Sequence, residues 1–123
     1  MSPTQRSLQY CRSRGWHVCV VEKWNAFARI RVDAFGYGDL LAVDPRGRGA
    51  ILVQTTSGSN LSARRHKATD APATNADRAR KAALIAWTTA GNQLLLHGWR
   101  KLVSGWAVKE EEIGLNELLS GGE

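Results

Sequence analysis

Apolar positions follow a helical rhythm over residues 4–14 and 75–90, and form short, nearly unbroken runs at 16–22, 39–43, 50–56 and 93–97. The first helix is predicted from Pro3 at its start, the Leu8 and Cys11 spacing, and Gly15 as its stop. Residues 16–22 (Trp-His-Val-Cys-Val-Val-Glu) read as a strand covered on both faces, because β-branched and apolar side chains dominate without alternation. No period persists from 23 to 38. That stretch reads as a loop, with room for a short helical turn, and Phe35-Gly36-Tyr37-Gly38 places glycines where a chain bends or lets another backbone approach closely. The runs at 39–43 and 50–56 flank Asp44-Pro45-Arg46-Gly47-Arg48-Gly49, a turn composition that makes them antiparallel neighbours.

After the polar loop 57–60 comes a short basic segment, 61–67, compatible with a helix that ends before Pro72. The main helix follows, with Asn75 as its predicted cap, Asp77 in its first turn, a stripe of Ala79, Ala83, Ala86, Trp87 and Ala90, and Gly91 beyond. A strand over 93–97, an edge strand over 106–108 and a closing helix over 115–119 complete the chain. No repeat or linker interrupts it. The order predicts a single α/β domain over 1–123, with a central mixed sheet flanked by helices.

Composition narrows the function classes. A chain of 123 residues with 43% hydrophobic content buries a core without disulfide or metal staples. Its net charge of +6 favours polyanionic partners. Cys11 and Cys19 form no CxxC pair and have no clustered histidines, so both read as buried free thiols. Without an apolar leader or a run near the roughly 18 residues of a membrane span, the expectation is a soluble protein of a reducing compartment.

Gly38-Asp39-Leu40-Leu41-Ala42 and Leu52-Val53-Gln54-Thr55-Thr56, within the order helix, three strands, helix, strand, bring a family into view. The chain resembles the PD-(D/E)XK (restriction-endonuclease-like) nucleases, in which an aspartate opens the second strand and the third carries an acid, one spacer and a lysine. Asp33-Ala34-Phe35-Gly36, Arg64 to Lys67 and Gly98-Trp99-Arg100-Lys101 are similar to small phage-encoded relatives of Holliday-junction resolvases and VRR-type nucleases. The resemblance implies an αβββαβ core over about 4–102, with 103–123 as an extension. It also implies a metal-dependent DNA endonuclease using Mg2+ or Mn2+, a homodimer acting on branched DNA, and a cytoplasmic setting in a bacterial host.

The chemistry asks for converging oxygens. A divalent ion that polarises phosphate and activates water takes carboxylate and carbonyl ligands. The resemblance assigns Asp39 and Gln54 to the metal, with Glu22 restoring the charge that Gln54 lacks. Thr56 replaces the lysine, so Lys67, or Arg64 or Arg65, is the expected replacement cation; with Arg29 and Arg31 these form the expected phosphate-binding surface. Each residue also has a plainer role. Asp39 reads as a ligand before a turn cap and Asp33 as a turn cap before a further ligand, while Glu22 also fits a solvated strand end and Arg64 to Lys67 a solvated face. His17, His66 and His97 are scattered and read as structural. Trp24, Trp99 and Trp106 fit a core, a dimer interface or a base-stacking surface. The alternative function is a catalytically degenerate DNA-binding or protein-interaction module of a phage, and a third is a structural or inhibitory phage protein.

Overall fold

The computed structural model describes residues 1–120, which form a mixed five-stranded sheet with helices on both faces. The chain runs through α1 (Pro3–Ser13), β1 (His17–Val20), β2 (Lys23–Asn25), β3 (Ile30–Val32), β4 (Leu40–Val43) and β5 (Ile51–Ser57). A 3₁₀ turn (Gly58–Asn60) leads into α2 (Leu61–Thr69), α3 (Asn75–Thr89), β6 (Gln93–Leu102), β7 (Gly105–Glu112) and α4 (Leu115–Ser120). The sheet order is β1-β4-β5-β6-β7, antiparallel except for the parallel β5–β6 pair. That pair needs the long crossover through α2 and α3.

Strand alternation splits the core between the two faces. Ile51 and Val53 of β5 point to α1, joining Leu8, Cys11, Leu40 and Leu95. Leu52 points the other way, to Leu61, Ala68 and Leu84 of α2 and α3, with Ile113 and Leu118 closing that side. Gly38 is glycine because a Cβ there would sit 2.2 Å from Leu52 Cδ1.

Several expectations are revised. The 23–38 stretch contains the β2–β3 hairpin. β1 is a four-residue edge strand, largely exposed, since α2 and α3 lie over β5 and β6 and leave its outer side bare. Thr74, not Asn75, caps α3: its Oγ accepts the Asp77 N–H at 3.0 Å while Asp77 accepts the Thr74 N–H at 3.2 Å. The alanine stripe of α3 is not its buried face. Leu84 is the buried residue, flanked by Ile85 and Trp87, so the helix packs through its few large side chains. β6 extends to Leu102 by pairing with β7, and the edge strand expected at 106–108 runs the length of β7.

Cys19, expected to be buried, is exposed on β1, whereas Cys11 is buried. Burial, reinforced by the negative charge of Glu110, pushes the Cys11 thiol up to about 11. A disulfide-exchange reagent is therefore expected to titrate one thiol in the native protein and two in denaturant. Rapid native labelling of both would contradict the packing of α1.

Candidate functional site

Three strand ends meet at one corner of the sheet. Just past β1, the N–H groups of Val21 and Glu22 donate to Asp39 O at 2.9 and 3.4 Å, and the Asp39 N–H donates to Val53 O at 2.8 Å. Glu22, Asp39 and Gln54 are thereby set side by side. Asp33 arrives from β3, where a tight turn closed by Gly36 N–H on Asp33 O (3.1 Å) brings the chain back to Asp39. Glu22, Asp33 and Asp39 each present a carboxylate oxygen, all within 4.8 Å of one another.

Asp39 is held firmly. Its Oδ2 accepts from the Thr55 N–H (2.8 Å), the Thr55 hydroxyl (3.1 Å) and the Gln54 amide (3.2 Å). The Thr55 hydroxyl also meets Thr4 Oγ1 at 2.8 Å, tying the site to α1. Asp39 Oδ1 has no hydrogen bond among the described residues. Burial pushes the Asp39 carboxyl up to about 7; the Thr55 N–H opposes this, and the charges of Asp33 and Glu22 add to it. Arg31 offsets Glu22 alone, at 3.1 Å.

The donor set fits a hard divalent cation. Three carboxylates crowd one place, and the buried Gln54 Oε1 has no hydrogen-bond partner. Metal–oxygen bonds of about 2.1 Å put opposite ligand oxygens about 4.2 Å apart, so the cluster needs only a small inward movement. In this structure the Gln54 nitrogen faces Asp39, and a half-turn of the amide exchanges it for the oxygen.

A cavity of about 250 Å³ opens on this corner, and its wall includes Thr4, Glu22, Arg31, Asp33, Asp39 and Arg64. Arg64 makes no ion pair or side-chain hydrogen bond among the described residues, and its backbone oxygen accepts the hydroxyl of buried Tyr37 at 2.7 Å. The other expected residues are placed elsewhere. Lys67 lines a neighbouring pocket with Asp77 and Arg80; burial and the charges of Arg80 and Arg64 lower its ammonium, while Asp33 and Asp39 pull the other way. Arg65 turns to the far side, paired with Glu111 at 3.1 Å and with Glu117. Thr56 is buried opposite Gly98 and is absent from the cavity wall. Arg29 is exposed at the turn of the β2–β3 hairpin with a φ of 55°.

Asp33, which the sequence favours as a turn cap, places its carboxylate in the cluster, and Thr55, which no motif marks, anchors Asp39 most closely. The only sequence signal for Asp33 was its proximity to the glycine-bearing turn before Asp39. No protein-family model matches this chain, and comparison with curated proteins and with solved structures finds no match.

Proposed function

We propose that the protein is a divalent-cation-dependent DNA endonuclease of the restriction-endonuclease-like type, hydrolysing phosphodiester bonds at the Asp39 corner. The observation that carries this reading is the convergence of Glu22, Asp33 and Asp39 within 4.8 Å around an Asp39 whose Oδ2 accepts three hydrogen bonds and whose Oδ1 accepts none among the described residues. The antiparallel β1-β4-β5 order followed by a helical crossover to parallel β6 is in keeping with it. Glu22, Asp33 and Asp39, with the Gln54 oxygen, would hold Mg2+ or Mn2+. Bound there, the ion would supply polarisation of the phosphate and a more acidic water.

The chain's own groups divide the remaining work. Thr55 fixes the Asp39 carboxylate through its backbone N–H and its hydroxyl, so Asp39 stays placed when Gln54 turns its oxygen to the ion. Arg31 holds Glu22 in place. Arg64, at the cavity wall and without an ion pair among the described residues, is the cation best placed to meet a phosphate oxygen, a role for which the sequence offers Lys67, Arg64 or Arg65.

Cleavage of supercoiled, single-stranded and four-way-junction DNA with magnesium or manganese tests this. Asp39→Ala is expected to abolish cleavage and Arg64→Ala to slow it about a hundredfold. Lys67→Ala should have the smaller effect, and the reverse ranking would restore Lys67 to the site. Thr56 in the lysine position, and a cavity wall without a lysine, favour one other reading: a DNA-binding module that no longer cuts. Tight DNA binding with no cleavage by the wild type, with either metal, would establish that module instead.

A further inference from the structure

The β2–β3 hairpin has no place in the core. β2 and β3 pair only with each other, and all six of their residues are exposed. Trp24 is 61% exposed, Phe27 in the turn is fully exposed, and Ile30 and Val32 are also open to solvent. An isolated two-stranded hairpin is marginal in water, and so much apolar surface on one is the mark of a binding element. Its charge is one-sided: 23–32 carries Lys23, Arg29 and Arg31 and no acid.

The hairpin springs from the acidic corner, with Glu22 immediately before β2 and Asp33 immediately after β3. Trp24 lies directly opposite Arg31 in the ladder, so the two share a face. Arg31 bonds Glu22 at 3.1 Å, and that face therefore runs on into the cavity. A flat aromatic surface and a guanidinium thus lie beside one another where a strand would leave the carboxylates.

We propose that this hairpin is an arm that grips single-stranded DNA, Trp24 stacking on an unpaired base while Arg31 on the same face and Arg29 at the turn hold the flanking phosphates. Bases stack on aromatic rings whatever their sequence, and cations along the track release counterions. A second copy of this chain is a poor occupant, because a two-fold contact would set Lys23, Arg29 and Arg31 against their own counterparts. A lipid surface would be met by the Phe27 turn and would leave Trp24 beside Arg31 unused. The inference rests on the nuclease reading for its choice of DNA, but binding is measurable without cleavage.

The test is fluorescence anisotropy of labelled single-stranded and duplex DNA and single-stranded RNA, in EDTA so that nothing is cut. Trp24→Ala is expected to weaken single-strand binding about tenfold with an unchanged circular dichroism spectrum, Trp24→Phe to retain most of it, and duplex binding to change about twofold or less. The arm is overturned if the wild type does not bind single strands, if Trp24→Ala binds them as the wild type does, or if RNA is bound more tightly than DNA of the same sequence. It is equally overturned if Trp24→Ala, with DNA binding intact, abolishes dimerisation in sedimentation or flotation with phosphatidylserine vesicles. Loss of cleavage in Asp39→Ala with normal binding by Trp24→Ala would remove the arm and keep the nuclease. Weakened binding by Trp24→Ala in a protein that never cuts would keep the arm and remove the nuclease.

Discussion

Replacing Asp39 with asparagine is expected to stabilise the metal-free protein at pH 8 and to abolish its response to magnesium. Burial, with Asp33 and Glu22 close by, moves the Asp39 carboxyl from 3.8 up to about 7 in the folded chain. Between about pH 4 and pH 7 the folded state therefore holds a proton that the unfolded state has released. Stability drawn from this group falls as pH rises through that window, and the full penalty is present above it. The interval corresponds to on the order of 4 kcal/mol. A neutral amide gives up the charge-assisted character of the three hydrogen bonds to Oδ2, so a net gain of about 2 kcal/mol at pH 8 is expected, with little difference near pH 4. Magnesium at a hundredfold excess over its Kd should stabilise the wild type by about 3 kcal/mol, and the asparagine variant hardly at all. Urea unfolding at the two pH values, with and without magnesium, measures both effects. A less stable asparagine variant at pH 8, or equal protection by magnesium, would remove the electrostatic account of the corner.

Ser7→Ala is expected to destabilise the fold by about 3 kcal/mol, although on an open helix face the same change would be slightly favourable. Ser7 is fully buried on α1, within 2.7 Å of Trp99 Nε1 and 2.8 Å of His97 Nδ1. The indole can only donate, so the Ser7 oxygen accepts from it; in the His97 tautomer whose Nε2–H faces Glu110, the Ser7 hydroxyl donates to Nδ1. The other imidazole nitrogen is then the donor to Glu110 Oε2 at 2.8 Å, and Arg14 holds that carboxylate at 2.7 Å. Alanine strands a buried indole N–H and a buried imidazole nitrogen together, each costing about 1–3 kcal/mol. The exposed Ser13→Ala is the control, expected to stay within about 0.5 kcal/mol. A Ser7→Ala effect under about 1 kcal/mol would mean that the chain from Trp99 to Arg14 does not hold α1 to the sheet. The network also gives His97 the structural part that its scattered position suggested.

Most elements were legible because each is a local pattern. The nearly unbroken apolar runs at 39–43 and 50–56, with Asp44-Pro45-Arg46-Gly47 between them, suffice for an antiparallel pair, and Leu8 with Cys11 suffices for the inner face of α1. The hairpin at 23–32 was not legible. Its strands are three residues each and exposed throughout, so no hydrophobic period forms, and Arg29 turns the chain with a positive φ that glycine would have announced. The stripe of alanines on α3 misled for a related reason: periodicity counts apolar positions equally, while burial follows the large side chains of Leu84 and Trp87.

The site divides in the same way. Sequence alone determined the α/β order of elements, an aspartate opening a strand beside a glycine, and an excess of positive charge. Tertiary structure decided which charged groups share a place: Asp33 beside Asp39, Arg64 at the cavity wall, Arg65 drawn off to Glu111 and Glu117, and Trp24 raised on an arm. Neighbours on α2 such as Arg64 and Arg65 are equivalent in composition and adjacent in sequence. A helix rotates each successive side chain by about 100°, so the two face different chemistry, and only the packing of that helix assigns one to each.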